Sequence, residues 1–199
     1  MFLRRGQLPI LLVNLIYLLI FSFIYLSNKN YEFIIYVGVI IFFFAIILST
    51  NKKVRYPNFV LWGLTLWGFM HMLGGTLPVG NGRLYDLILI PISEAYQIFR
   101  YDQLIHIIGF GVATLVMYCL LHPIIGGKEA EKHSIKTAII IAMAGLGVGA
   151  LNEIVEFIVQ VIVPQTGIGG YINTSLDLVS DFIGALLALI YIRIYNWEI

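Results

Sequence analysis

The chain has 199 residues, of which 60% are hydrophobic and only 12% are charged, and its formal net charge is +1. Soluble domains are about 45–50% apolar and about 25% charged, so this composition excludes an ordinary soluble protein and favours one built for the bilayer. The small net charge leaves no basic surplus for nucleic acid, and the single cysteine, Cys119, excludes a disulfide framework and a cysteine-built zinc site.

Apolar segments long enough to cross a bilayer recur six times along the chain. Arg4 and Arg5 precede the first, but no small-residue cleavage site follows, so we interpret it as a membrane helix rather than a signal peptide. The sequence therefore predicts an all-α polytopic membrane helix bundle, a single transmembrane domain over residues 1–199. Its predicted spans are residues 8–27, 33–49, 58–77, 102–122, 137–163 and 174–194.

Residues 83–100, between the third and fourth predicted spans, are too interrupted to cross the membrane. Pro91 breaks the short apolar run at 87–92, and Asp86 and Glu94 flank it. We expect this segment to form a short interfacial amphipathic helix, or a cap over the mouth of the bundle.

The distribution of basic residues predicts that both termini lie in the cytoplasm. With the N-terminus inside, nine Lys and Arg residues are cytoplasmic and three are external, and positive charge prefers the cytoplasmic side. The cytoplasmic set is Arg4, Arg5, Lys52, Lys53, Arg55, Lys128, Lys132, Lys136 and Arg193, and the external set is Lys29, Arg83 and Arg100. We predict a multi-pass protein of the cell (inner or plasma) membrane.

Seven ionisable residues lie within the predicted helices, where such residues are costly and indicate a functional site. Three pairs are spaced three or four residues apart, so each pair shares one face of its helix. At about 1.5 Å per residue, all seven fall in the outer half of the bilayer, which predicts one polar chamber open to the outside. They are His71, Asp102, His106, Glu153, Glu156, Asp177 and Asp181.

The charge of this set predicts either bound cations or retained protons. Five carboxylates cannot all ionise in a buried site without compensation, and no Lys or Arg lies in the same helical stretches. Carboxylates together with imidazole suit Mn, Fe, Zn or Mg, so we expect all seven residues to be ligands of a divalent metal cation of unidentified element. Structural alternatives are a hydrogen bond for His71 and a helix cap for Asp102, whereas the Glu153/Glu156 pair favours a functional role.

These motifs resemble the YjdF-type bacterial and archaeal membrane proteins, a family of unknown function. The resemblance covers about residues 67–189. Where that family has a further aspartate before the last helix, this sequence carries Asn173. The matching residues are His71 with Gly74-Gly75, Tyr101-Asp102-x-x-x-His106-x-x-Gly109-Phe110, Glu153-x-x-Glu156, and Asp177 followed by Gly184-Ala185. A looser likeness to VanZ-like proteins implies a link to glycopeptide resistance and cell-envelope physiology.

The expected function is that of a metal-dependent hydrolase or transferase in the membrane, acting on a lipid or lipid-linked envelope substrate. Glu153 or His106 would be the general base. The alternatives are a small cation- or proton-coupled transporter, in which the carboxylates relay ions, and a non-catalytic accessory protein of the envelope. Gly145 and Gly149, one turn apart, predict close helix packing beside the chamber.

Overall fold

The computed structural model describes residues 3–93, 95–125 and 134–195. Lys128, Lys132 and Glu94, which entered the sequence predictions, lie outside these ranges. The described residues form six long helices, which confirms the predicted all-α membrane bundle. They are α1 (Gln7–Ser27), α2 (Tyr31–Val54), α3 (Asn58–Thr76), α4 (Tyr101–Ile125), α5 (Ile135–Ile162) and α6 (Tyr171–Ile194).

Several helix ends are fixed by local chemistry. The Asn30 side chain accepts a hydrogen bond from the Phe33 amide at the start of α2, and Ser134 accepts one from Thr137 at the start of α5. Such caps satisfy amide groups that have no partner within the helix. Lys52 and Lys53 occupy the last turn of α2, where positive charge complements the helix dipole.

Five of these helices, all but α3, are long and apolar enough to cross a membrane. The remaining helix, α3, lies parallel to α1 along its full length. Near one end, Gln7 donates to the Tyr56 carbonyl at 3.2 Å, and further along, Asn14 donates to Thr65 at 2.7 Å. At the other end, Tyr25 donates to the Met72 carbonyl. Because α3 begins and ends level with α1, it covers the same depth.

The start of α1 and the end of α6 lie at the same end of the bundle. Tyr56, whose carbonyl accepts from the start of α1, immediately precedes α3. The Phe59 ring at the start of α3 lies 5.7 Å from the Tyr191 ring near the end of α6. An even number of crossings explains this arrangement, whereas the assignment of that end to the cytoplasm stays a prediction.

Helices α4, α5 and α6 pack closely through glycines. A side chain at Gly184 of α6 would overlap the Ile107 carbonyl on α4. On α5, a side chain at Gly145 would meet Thr114, and one at Gly149 would meet Asp181. The predicted close packing at the Gly145/Gly149 pair is therefore confirmed, and it brings the backbone of α5 directly against one polar residue of α4 and one of α6.

The segment between α3 and α4 is not the expected amphipathic helix, and this prediction is wrong. The segment forms two antiparallel strand pairs separated by a 3-10 turn at Leu84–Asp86. The strands are β1 (Pro78–Val79) paired with β2 (Gly82–Arg83), and β3 (Ile88–Ser93) paired with β4 (Ile98–Arg100).

The residue types of this segment explain the strands. Pro91 has no amide hydrogen and would clash inside a helix, while the alternating Ile88, Ile90 and Ile92 are β-branched and favour extended backbone. Gly80 has φ +57°, a conformation that most residues avoid, and it turns β1 into β2. The second expectation, a cap over the mouth of the bundle, is correct, because Arg83, Tyr85 and other residues of the segment line a cavity at that end.

Candidate metal centre

A polar cavity lies at the end of the bundle opposite the start of α1 and the end of α6. It has about 50 Å³ of space for water-sized groups. Its walls come from the start of α2, the end of α3 and the segment between α3 and α4 that contains β1 to β4. The start of α4, the end of α5 and the loop between α5 and α6 complete the walls. Four of the seven predicted site residues line it, namely His71, Asp102, His106 and Glu156, together with Asn173.

His106 is the central residue of the site. Its Nδ1 lies 2.8 Å from Oδ1 of Asp181 on α6, and its Nε2 lies 3.8 Å from Oδ1 of Asp102, one turn earlier on α4. The side chain of Asp181 is completely buried, and that of His106 nearly so. The parallel packing of α4 and α6 through Gly184 produces this contact, because it places His106 and Asp181 at the same level.

Asp177 lies one turn before Asp181 and is also completely buried. Gln103 donates to its Oδ1 at 3.3 Å, and Asn173 donates to its Oδ2. The same Asn173 amide nitrogen lies 3.2 Å from Oδ2 of Asp102. Asn173 therefore joins two carboxylates through donated hydrogen bonds, which an aspartate at this position would not supply unless protonated.

Glu153 and Glu156 face the site from α5. Asn152 donates to Oε1 of Glu156 at 2.8 Å and lies 3.5 Å from Oε1 of Glu153. Among the described residues, Oε2 of Glu153 and Oδ2 of Asp181 are buried oxygens without a hydrogen-bond partner. Two such oxygens in one region are unusual, because buried polar atoms are nearly always paired.

His71 occupies the cavity wall in a different environment. Its Nδ1 lies 2.5 Å from the Tyr85 hydroxyl of the capping segment, and its ring stacks on Trp67 at 5.7 Å. Burial raises the pKa of Tyr85 well above its usual value, and the nearby carboxylate of Asp102 raises it further. The Tyr85 hydroxyl therefore stays protonated and can donate to His71.

A second interaction holds the cap over the cavity. The buried Glu32 at the start of α2 accepts from the Arg83 guanidinium at 3.0 Å and from the Gly167 amide at 2.9 Å. Arg83 belongs to β2, and Gly167 belongs to the loop between α5 and α6. One carboxylate therefore ties together three segments that surround the mouth.

Two groups of donor atoms have dimensions suited to a metal ion. One comprises Asp102, His106 and Asp177, and the other comprises His106, Glu153 and Glu156; in each, the donor atoms lie within 4.8 Å of one another. Ligand bonds of about 2.0–2.6 Å place two donors on one ion no more than about 4–5 Å apart. The carboxylate and imidazole donors of these two groups are of the types that suit a divalent cation.

Sequence reasoning did not identify two of the polar residues that shape the site, Gln103 and Tyr85, and it noted Asn173 only as a departure from the resembled family. Gln103 and Asn173 hold the carboxylates of Asp177 and Asp102, and Tyr85 contacts His71. For Gln103 a signal existed, because it lies three residues before His106 and so shares that face of α4. Tyr85 lies outside the helices, and nothing in its local sequence indicates which helix it contacts.

Comparison with known proteins supplies a family. A family model described as "Predicted membrane protein (DUF2238)" matches residues 8–198. No curated protein and no solved structure matches this sequence. Because the family model covers nearly the whole chain, including every residue of the site, this chain belongs to the DUF2238 family of predicted membrane proteins.

Proposed function

We propose that this protein is a metal-dependent enzyme of the membrane, a hydrolase or transferase that acts on a lipid or lipid-linked molecule. The observation that supports the proposal most directly is the position of His106 between Asp181 at Nδ1 and Asp102 at Nε2. In metal sites, a carboxylate that accepts a hydrogen bond from one imidazole nitrogen fixes the ring so that the other nitrogen can bind the ion.

This geometry divides the predicted ligands into two roles. In the proposal, Nε2 of His106 and the carboxylates of Asp102, Asp177 and Glu156 would hold the metal. Asp181 orients the His106 ring, and His71 forms part of the wall through its contact with Tyr85. The seven-residue ligand set expected from the sequence is narrowed accordingly.

A divalent cation would polarise a phosphoryl or carbonyl oxygen of the substrate and promote ionisation of an attacking water. Glu153 is the proposed general base. Its Oε2 is buried without a partner among the described residues, and the same residue belongs to a donor group with His106. It can therefore accept a proton close to the reacting atoms.

The location of the site supports the proposed substrate class. The cavity is within the helices of a membrane protein and opens under a cap at one end of the bundle, so a molecule anchored in the bilayer can reach it. The looser likeness to VanZ-like proteins supports a substrate of the cell envelope, and the basic-residue distribution supports an outward-facing site in the cell membrane.

The alternative of a cation- or proton-coupled transporter requires a polar path to the other end of the bundle. In the described part of that half, buried amides and hydroxyls pair with one another: Gln7 with Asn51, and Asn14 with Thr65. This pairing favours the enzyme over the transporter.

Elemental analysis of purified protein tests the proposal. Wild type should contain at least one divalent metal ion per chain, whereas His106→Gln and Glu156→Gln should contain almost none. Glu32→Gln is the matched control, because Glu32 lines the same cavity but belongs to neither donor group. Chelation should lower the melting temperature of wild type and of the control but leave the metal-free variants unchanged. A wild type that contains no metal and whose melting temperature does not change with chelator would refute the proposed metalloenzyme.

A further inference from the structure

A second and larger cavity lies beside the site, inside the part of the bundle that crosses the membrane. It has a volume of about 240 Å³ and lies between α2 on one side and α5 on the other, with α1, α3 and α4 completing its walls. For comparison, an apolar cavity of about 150 Å³ is large enough to bind benzene. We refer to this cavity as the apolar groove.

The residues that line the groove favour an apolar ligand. Its lining is almost entirely aliphatic and aromatic. The polar side chains in its walls are engaged in hydrogen bonds: Asn51 donates to Gln7 at 2.7 Å, Asn14 donates to Thr65 at 2.7 Å, and Asn152 donates to Glu156 at 2.8 Å. The walls therefore offer a ligand few polar groups to bind, and water gains little by entering.

The groove is long and is open to the bilayer. It runs beside α1 from Gln7 to Tyr17, a distance of about 15 Å at 1.5 Å per residue, or half of the roughly 30 Å hydrocarbon core. On its two sides, the Phe43 side chain of α2 is 39% exposed and the Leu151 side chain of α5 is 51% exposed. In the membrane these exposed edges face lipid chains.

One end of the groove adjoins the candidate metal centre. Three of its lining residues contact three residues of the site: Trp67 stacks on His71 at 5.7 Å, Phe110 lies 5.2 Å from the His106 ring, and Asn152 donates to Glu156 at 2.8 Å. A molecule whose chain lies in the groove would therefore hold its polar end next to His106 and Glu156.

We infer that the apolar groove binds an acyl chain of a membrane lipid and thereby presents the lipid's polar head to the candidate metal centre. The lipid is the only abundant apolar molecule that surrounds the open side of the groove. The inference deepens the proposed function and rests on it for the identification of that lipid as the substrate. The binding of the chain itself depends on the groove alone.

Filling the groove tests the inference. Val148→Phe on α5 and Ala113→Phe on α4 each place a ring in the groove from a different wall. Ile140→Phe is the control, because Ile140 lies on α5 but outside the groove and is 56% exposed to lipid. Native mass spectrometry in mild detergent, with extraction of the bound lipid, measures occupancy, and elemental analysis of the same samples measures metal.

Wild type and Ile140→Phe should each retain one acyl lipid per chain. At least one filled variant that elutes as a folded protein with unchanged metal content should lose occupancy by about tenfold or more, since steric overlap in a filled apolar site costs roughly 5- to 150-fold in affinity. Retention of the lipid by both filled variants, an isoprenoid in place of the acyl lipid, or a wild type without lipid would overturn the inference. A groove-dependent lipid on a metal-free wild type would refute the proposed enzyme but leave the groove assignment intact.

Discussion

The Nδ1 atom of His106 on α4 lies 2.8 Å from Oδ1 of Asp181 on α6, and both side chains are buried. These residues are 75 positions apart in the chain. They meet because the two helices run parallel and approach closely at Gly111 and Gly184. The contact leaves Nε2 of His106 directed to the group that also contains Asp102, which makes Asp181 an orienting residue in the proposed site.

Asp181→Asn should therefore weaken metal binding without abolishing it. Loss of a carboxylate that orients a metal-binding imidazole typically lowers metal affinity about 10–100-fold, whereas loss of the ligand in His106→Gln should be more severe. Titration of metal-depleted protein by calorimetry would measure both effects. Ser180→Ala is the control, since the Ser180 hydroxyl donates to the Leu176 carbonyl of its own helix and, in the part of the chain that the structure describes, to no residue of the site. Equal affinities for Asp181→Asn and wild type would contradict the orienting role.

The approach of α4 and α6 predicts a marked contrast between two glycines. Gly184→Ala should lower the free energy of unfolding by about 1–3 kcal/mol, because its methyl group would overlap the backbone carbonyl of Ile107, which cannot rotate away. Gly147→Ala should be neutral or stabilising by up to about 1 kcal/mol, because Gly147 faces open space and alanine is the better helix former. Denaturant unfolding in micelles measures both. Equal effects would show that the helices can separate at little cost.

The Glu32–Arg83 pair predicts how firmly the cap is held. Arg83→Met should destabilise the protein by about 1–3 kcal/mol, since Glu32 is buried and would keep only the Gly167 amide as a partner. Glu32→Gln should rescue part of that loss in the double variant, because the amide oxygen still accepts from Gly167 and no unpaired charge remains. Lys29→Met, an exposed change in the loop before α2, is the control for removal of a positive charge. Additive effects in the double-mutant cycle would rule out coupling between the two side chains.

Labelling of introduced cysteines tests the predicted orientation. In a Cys119→Ala background, Lys29→Cys and Asn81→Cys should react with a membrane-impermeant reagent in intact cells. Lys53→Cys and Lys136→Cys should react only after permeabilisation, because the excess of positive charge predicts that their end of the bundle is cytoplasmic. All four positions are exposed. The reverse pattern would place the candidate metal centre on the cytoplasmic side.

The sequence alone was sufficient to predict the class of fold. Hydropathy determines where helices cross a bilayer, because the hydrocarbon demands about 20 apolar residues with their backbone hydrogen bonds satisfied internally. Hydropathy also identified the candidate site residues, because an ionisable side chain within an apolar segment is rare and costly. The segment after α3 was the exception: a short amphipathic helix was predicted there, whereas it forms strand pairs that depend on contacts within residues 78–100.

Only the tertiary structure decided which of these residues touch. Periodicity places Asp102 with His106 on one helix face and Glu153 with Glu156 on another, but helix rotation and pairing are set by packing between helices, here through Gly149 and Gly184. The apolar groove is likewise invisible in the sequence, because a residue that faces lipid and one that faces an internal cavity are chosen from the same apolar types. The apolar composition of a helix shows that it lies in hydrocarbon, but it does not show which other helix packs against it.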